Sequence, residues 1–192
     1  MKIPNYLKNW AKYEGESEID RVRELRFWRW LAIIGWIITA IVVYLWLFIP
    51  NLEAATPLSI AQSQIGLGEI GGNNRGIYVR QYLNGQENLP WCAGFISYCF
   101  KQVKYNLPYF LRAKSYLNYG EKIKKWQLSI GDIVIFNRKG GGHIGIIERI
   151  VNNGFVSIEG NVGNYPAKVK RVNHMFEDES ILGFVRLARR EK

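Results

Sequence analysis

The sequence is poor in the residues that build cross-links and metal centres. It contains 2 cysteines and 2 histidines among 192 residues. Two cysteines cannot form a disulfide framework or a four-cysteine zinc site. With so few nitrogen and sulfur ligands, a structural metal site is not expected. We therefore predict neither a metal nor a cofactor.

The sequence also lacks long runs of one charge sign, low-complexity tracts and internal repeats. These absences exclude solenoids, propellers and compositionally biased tails. Hydrophobic residues make up 48% of the chain and charged residues 22%, which is typical of a folded protein. The length allows one compact domain and an additional segment.

A long apolar segment lies near the N-terminus. Residues 30–49 carry no charged side chain, and the segment would be apolar on every face of a helix. About 20 helical residues span ~30 Å, the thickness of a bilayer's hydrocarbon core. The sequence therefore predicts a transmembrane helix over residues 27–50. A buried core helix is the alternative, but core helices of this length are rarely apolar on every side.

A cleavable signal peptide is the second alternative to an anchor. Its apolar region is normally ~7–15 residues long, and cleavage requires small residues at two positions spaced one apart. Leu52 and Glu53 stand where a small residue would be needed for cleavage after Ala54 or Ala55. These features favour an uncleaved anchor.

The charges that flank the apolar segment predict its orientation. Seven basic residues precede it, and the next basic residue after it is Arg75. Because the flank richer in Lys and Arg stays in the cytoplasm, we expect a cytoplasmic tail over residues 1–26. A linker over 51–56 and an extracytoplasmic domain over 57–192 would follow. The protein is thus expected to be a single-pass membrane protein, with lipid as one partner.

The net charge of the chain is +10, and basic residues also outnumber acidic ones in the outer domain. A basic domain on a short tether should meet an anionic partner nearby. Nucleic acid is not expected as a partner, because no recognised nucleic-acid-binding motif is present and the domain lies outside the cytoplasm. Cell-wall polymer or lipid headgroups fit this charge better.

The outer domain changes from a helical to a strand pattern near residue 129. Helices that precede consecutive antiparallel strands are typical of the α+β class, here with about five strands. Residues 105–125 are predicted to be irregular or weakly helical. The predicted helices cover 57–65, 77–83 and 90–100, and the predicted strands cover 133–136, 143–150, 155–159, 168–172 and 183–187.

Cys92 is a candidate nucleophile because it begins the third predicted helix, directly after Pro90 and Trp91. The dipole and the unpaired N–H groups of a helix N-terminus stabilise a thiolate, the nucleophilic form of cysteine. Cys99 lies ~10 Å further along the helix, too far for a disulfide to Cys92, and is interpreted as a core residue. Taken alone, Cys92 also fits an inert core position.

His143 strengthens the catalytic interpretation of Cys92. It opens a predicted strand directly after three glycines, and a cysteine paired with a sequence-distant histidine is a recognised catalytic arrangement. Gly145 is the next residue on the same strand face, and the glycines are expected to leave room for a substrate or for the helix that carries the thiol. A surface histidine at a strand end is the alternative.

The strand after the hairpin ends in Glu159 and Asn161, either of which could orient the imidazole. Side chains alternate along a strand, so the length of the turn decides whether they share the face of the histidine. An odd-length loop or a bulge, such as a three-residue turn at 152–154 that pairs Val151 with Phe155, would bring both candidates to that face. A two-residue turn would place them on the opposite face.

Together these segments resemble a CHAP domain, the cysteine, histidine-dependent amidohydrolase/peptidase family of the papain-like superfamily. The resemblance extends from about Ile60 to Leu187 and covers none of residues 1–56. The resembling segments are Gly71-Gly72-Asn73-Asn74-Arg75-Gly76, Pro90-Trp91-Cys92-Ala93-Gly94-Phe95, Gly131-Asp132-Ile133-Val134-Ile135-Phe136, Gly142-His143-Ile144-Gly145 and Ile158-Glu159-Gly160-Asn161.

The resemblance implies a papain-like α+β fold in which N-terminal helices pack on an antiparallel sheet. It further implies cleavage of peptidoglycan, by an N-acetylmuramoyl-L-alanine amidase or a peptide endopeptidase. Carried over by motif, Cys92 is the nucleophile, His143 the base and Glu159 the orienting group. Asn161 is a further polar group of the site.

Three more residues are expected near the substrate groove. Asn73 and Asn74 lie in the loop that resembles the family, and Trp91 precedes the nucleophile; core packing is the alternative for Trp91. Some family members bind calcium through an Asp-rich loop ahead of the cysteine. This chain offers only Glu69 with the two asparagines there, so calcium is not predicted.

Two other functions stay open at this stage. One is a non-catalytic wall-binding or structural component of a membrane-containing virion or a secretion apparatus. The other is a papain-like protease or transferase that acts on protein. A complete set of Cys92, His143 and Glu159 favours the hydrolase, because a binding role does not need all three.

Overall fold

The computed structural model describes residues 5–48 and 55–187, with side chains described for 20–47 and 55–187. The chain divides into two units, Met1–Glu53 and Ala54–Lys192. The predicted end of the transmembrane helix at residue 50, and most of the predicted linker over 51–56, lie outside the described residues. The tail, span and domain boundaries therefore stay predictions.

The N-terminal unit contains one long helix, α1, Asn5–Phe48. Its part Asp20–Leu47 is long and apolar enough to cross a membrane, with a hydropathy of 2.3 and exposed side chains. Length and composition of this kind fit an anchor and a signal sequence alike. The helix begins well before residue 27 because the preceding residues are mostly good helix formers without an internal proline.

The second unit is built on one six-stranded antiparallel sheet, and the prediction of the α+β class is confirmed. The spatial order is β1-β6-β2-β3-β4-β5. The sequence pattern missed β1, an edge strand of three residues that is too short to show a strand period. The strands are β1 Glu121–Ile123, β2 Ile133–Phe136, β3 His143–Val151, β4 Gly154–Val162, β5 Lys168–Met175 and β6 Ile181–Arg186.

Three short helices precede the sheet: α2, Pro57–Ser63; α3, Ile77–Tyr82; and α4, Cys92–Gln102. Thr56 caps α2 through its hydroxyl, and the proline at the first helical position has the backbone angle that a helix requires. Residues 92–100 of α4 are all buried, because this helix contacts α2, α3, β3 and β4. The two faces of the sheet are both covered, which explains why the β2 run is apolar at every position.

The β3–β4 hairpin has a two-residue turn, because Val151 pairs with Gly154, and the three-residue turn at 152–154 does not form. A β-bulge at Glu148 supplies the extra residue instead, and Gly145 then pairs with Glu159. A bulge of one residue reverses the alternation of side chains in the same way as a longer turn. Glu159 therefore does share a sheet face with the start of β3.

The bulge is held by the carboxylate of Glu148. This buried group accepts two hydrogen bonds from Arg171, at 2.7 and 2.9 Å, and one from Gln62 at 3.0 Å. Hydrogen bonds from Arg171 keep the pKa of Glu148 below its ordinary value, although burial opposes them. The extra residue thus links β3 to β5 and to α2, and this fixes the register that the site depends on.

Candidate functional site

Cys92 lies at the first position of α4, where the sequence analysis predicted it. Its side chain is nearly buried, with 6% of the residue exposed. The residue before it, Trp91, is the N-cap, and its carbonyl accepts the first hydrogen bond of the helix, from Phe95, at 2.8 Å. The N–H of Cys92 has no acceptor within the helix, as at every helix N-terminus.

His143, the first residue of β3, brings together the predicted thiol and carboxylate. The residue is 3% exposed, and its Nε2 lies 2.7 Å from Oε2 of Glu159. Burial lowers the pKa of His143, but hydrogen bonds with Cys92 and Glu159, together with their charges, raise it to about 9. The imidazole is therefore protonated at neutral pH when it faces the thiolate.

Glu159 is buried on β4, and both of its oxygens are occupied. Oε2 meets His143, while Oε1 lies 2.6 Å from Nε2 of His174 and accepts from the hydroxyl of Ser157. Burial raises the pKa of Glu159, but the hydrogen bonds from the two histidines and Ser157 outweigh it and lower the pKa to about 2. The carboxylate is ionised across the physiological pH range.

Gly145 makes room for this carboxylate rather than for a substrate or for the helix that carries the thiol. A Cβ at this position would lie 2.7 Å from Cγ of Glu159. A second close approach occurs at Gly160, where a Cβ would meet Phe95 and Trp91 at 2.8 Å. The two glycines let β4 lie close to both β3 and α4.

His174 is a residue of this cluster that sequence reasoning missed. It lies on β5, with its ring between those of Phe136 and Phe155 at centroid distances of 4.5 and 5.2 Å. Its Nδ1 is 3.7 Å from a carboxylate oxygen of Asp178. The alternation of β5 could have placed it on a sheet face, but not beside Glu159. His174 therefore positions the carboxylate of Glu159, and Glu159 in turn positions the imidazole of His143.

We expect His174→Phe to make the fold more sensitive to acid. Phenylalanine keeps the aromatic packing but removes the donor to Glu159. A hydrogen bond to a buried charged group is worth ~1.5–3 kcal/mol. Because the pKa of Glu159 is lowered in the fold, its stabilising contribution is present above pH ~4.5 and is lost as pH falls towards 2. The variant should lose free energy of unfolding near neutral pH and unfold at a higher pH during acid titration.

Urea unfolding at several pH values would measure this effect. Asn173→Ala, at the exposed neighbouring position of β5, is the matched control. Equal acid titration curves for both variants would contradict a role for His174 in holding the carboxylate.

The remaining predicted residues differ in how they are placed. Asn161 follows Gly160 with a left-handed backbone, φ 61°, and its side chain makes no hydrogen bond within the described part of the chain. Asn73 is exposed, and Asn74 is half-buried. Trp91 has no exposed surface and stacks on Tyr82 at 5.4 Å. This burial favours the core-packing alternative for Trp91 over a place in the groove.

Glu69 has a structural role that the sequence did not indicate. Its buried carboxylate accepts hydrogen bonds from the backbone of Asn74 and Ala167, both at 2.8 Å, and from the indole of Trp91 at 3.3 Å. These contacts join the loop ahead of α3 to the residue before the thiol. No cluster of three or more His, Cys, Asp or Glu side chains that could hold a metal lies within the described residues.

Residues 84–161 match the family model of the CHAP domain. The resemblance to a CHAP domain is confirmed over these residues. The matched CHAP segment contains the thiol, the imidazole and the carboxylate described above, but it ends before His174. No curated protein sequence matches the chain.

Similar solved structures belong to bacterial NlpC/P60 proteins. The peptidoglycan hydrolase RipB from Mycobacterium tuberculosis is 20% identical, with a TM-score of 0.48 over 74% of this chain and 69% of that chain. The NlpC/p60 domain of the peptidoglycan hydrolase SagA is 18% identical, with a TM-score of 0.45 over 71% of this chain and all of that chain. RipD from M. tuberculosis, described as a non-catalytic NlpC/p60 protein adapted to peptidoglycan binding, is 16% identical, with a TM-score of 0.47 over 72% of this chain and all of that chain.

Proposed function

We propose that the protein is a peptidoglycan hydrolase that cleaves an amide bond of the wall through Cys92, His143 and Glu159. The observation that carries the proposal is the 2.7 Å contact of His143 with the buried, ionised carboxylate of Glu159, on an imidazole whose pKa is also raised by interaction with Cys92. The CHAP match over the same residues supports it. The bond is that of an N-acetylmuramoyl-L-alanine amidase or of a peptide endopeptidase.

In the proposed reaction the Cys92 thiolate attacks the amide carbonyl carbon. The imidazolium of His143 donates its proton to the leaving amine as the C–N bond breaks, and a thioester to Cys92 remains. A water molecule then loses a proton to the neutral imidazole and attacks the thioester. The C–S bond breaks, the carboxylic acid leaves and loses its proton to solvent, and the thiolate–imidazolium pair is restored.

Two further groups support this chemistry. The unpaired N–H of Cys92 points from the helix N-terminus and is a donor for the oxyanion that forms on the carbonyl oxygen. Glu159 stabilises the imidazolium and fixes its orientation. In this proposal Asn161 is a secondary polar group of the site. Asn73 and Asn74 line the substrate groove.

A non-catalytic wall-binding protein is the second candidate, since RipD is described in those terms. A binding protein would not need a nearly buried cysteine in contact with a protonated imidazole. The excess of basic residues would serve an anionic wall in both cases.

Digestion of purified peptidoglycan tests the proposal. The full chain in mild detergent is incubated with wall sacculi, and the soluble fragments are analysed by mass spectrometry. We expect fragments with new amine ends, whose masses identify an amidase or an endopeptidase. Binding to sacculi without release of fragments would favour the non-catalytic candidate.

We further propose that α1 anchors the protein with its N-terminus in the cytoplasm. Seven basic residues before the apolar segment support this orientation. Protease added outside intact cells should digest the domain that follows residue 51 and leave a membrane-embedded N-terminal fragment. A mature protein that begins near Ala55 would show that the helix is a cleaved signal sequence, and protection of the domain would reverse the orientation.

A further inference from the structure

A group of basic side chains lies beside the catalytic histidine and is not used by the proposed reaction. Arg138 and Lys139 open the loop between β2 and β3, and Arg112 and Lys114 lie in the segment that precedes β1. All four residues are exposed. Within residues 20–47 and 55–187, none of the four forms an ion pair with an acidic side chain. Their positive charge is thus available to a ligand.

Two residues of this group, Arg112 and Lys114, line an open cavity of about 570 Å³. Gly140 and Gly141 form part of its wall, and a Cβ at either position would meet no atom within 4 Å. The wall therefore combines glycine backbone with basic and neutral polar side chains, and it has no carboxylate among its residues. It is lined by Arg112, Lys114, Ser115, Asn118, Gly140 and Gly141.

The same loop also reaches the reacting edge of the histidine. Nη1 of Arg138 lies 3.1 Å from Nδ1 of His143, while Nε2 of that ring is bonded to Glu159. A guanidinium can only donate hydrogen bonds, so this contact requires an unprotonated Nδ1. When Nδ1 carries the proton needed for catalysis, this hydrogen bond is lost, and the guanidinium beside the ring needs another acceptor.

We propose that Arg138, with Arg112 and Lys114, forms a subsite for a free carboxylate that flanks the amide to be cleaved. The subsite rests on the proposed hydrolase function and narrows its substrate to acidic wall peptides. A planar carboxylate matches the fork of a guanidinium and can accept two parallel hydrogen bonds from it. The carboxylate also supplies the acceptor that Arg138 loses when His143 is protonated.

A carboxylate of the reacting peptide fits the position better than a phosphate of another wall polymer. Arg138 is only 3.1 Å from the imidazole, so its ligand lies next to the scissile bond. A group this close belongs to the same molecule as the amide. The lactyl–alanine bond of an amidase substrate has no free carboxylate next to its carbonyl, so the subsite favours an endopeptidase.

The test compares two sets of wall peptides, one with the carboxylate next to the scissile amide free and one with it converted to the primary amide. The full chain and its Arg138→Gln and Lys122→Gln variants are assayed for kcat/KM on both sets. Lys122 is an exposed cation of edge strand β1 and serves as the charge-matched control. We expect the unmodified chain to prefer the free acid by about tenfold, as for one charge-assisted pair. Arg138→Gln should lose this preference, and Lys122→Gln should keep it.

Binding to the Cys92→Ala variant separates this proposal from the proposed function. Calorimetry of the two peptide sets needs no cleavage. Tighter binding of the free-acid peptides by Cys92→Ala, and loss of that preference when Arg138→Gln is added, would support the subsite. This holds even if the unmodified chain cleaves neither peptide set. Equal cleavage and equal binding of both sets would overturn it, as would a preference that survives in Arg138→Gln. A third outcome would be that the chain shows no preference between the peptides and that a phosphate polymer displaces the acid peptide. The basic residues would then bind that polymer and not a carboxylate of the substrate.

Discussion

Replacing Cys92 with alanine is expected to lower the rate of wall-amide cleavage by ~10³-fold or more, because no other group can form the thioester. The variant should stay folded, since the change removes one sulfur atom from a residue at the mouth of the site. Release of soluble fragments from sacculi, with circular dichroism as the folding control, measures the effect.

Cys99→Ala is the matched control for this experiment. Cys99 has no exposed surface, and burial raises the pKa of its thiol well above the ordinary value. It should therefore be an inert core residue whose loss reduces stability but not the rate per folded molecule. Full activity in Cys92→Ala would refute the assignment of Cys92 as the nucleophile. Loss of activity in Cys99→Ala without unfolding would indicate that Cys99 takes part in the reaction.

Glu159→Gln is expected to lower the rate by roughly 10²-fold. The amide carries no charge to stabilise the imidazolium of His143. It also has one acceptor oxygen, whereas Glu159 has two oxygens that meet donors on His143, His174 and Ser157. At least one of these donors would face an NH₂ group.

The pH profile gives this variant a second readout. The imidazolium of His143 persists up to its pKa of about 9, so the activity of the unmodified chain should fall as pH rises through that value. Without the charge of Glu159, the pKa falls and the alkaline limb moves to lower pH. Asn161→Ala should change the rate less, because its side chain makes no hydrogen bond within residues 55–187. A nearly inactive Asn161→Ala beside a nearly normal Glu159→Gln would make the amide the third member of the triad.

The helices and long strands of the domain could be predicted because their signals are local. Pro57 and Pro90 precede or start helices, and the apolar runs of β2, β3 and β4 have the length and turn residues of strands. The edge strand β1 and the extension of α1 to Asn5 could not be predicted in this way. The first is too short for a period, and the second has good helix formers but no apolar stripe.

The candidate site shows the same division between local and long-range signals. Cys92 and His143 stand at positions that the sequence marks, a helix start and a strand start. The route by which Glu159 reaches the histidine could not be predicted, because the bulge at Glu148 depends on Arg171, which is distant in sequence. The contact of His174 with Glu159 depends in turn on the pairing of β4 with β5, which a local sequence pattern does not give.

Digestion of sacculi in water enriched in ¹⁸O shows whether Cys92 hydrolyses a wall amide. Hydrolysis of a thioester to Cys92 places one oxygen atom from water in the new carboxylate. We expect fragments with a new amine end and a partner carboxylate that carries a single ¹⁸O, and no such fragments from Cys92→Ala. Fragments cut within the glycan strand, or labelled fragments that Cys92→Ala releases at the same rate, would contradict it.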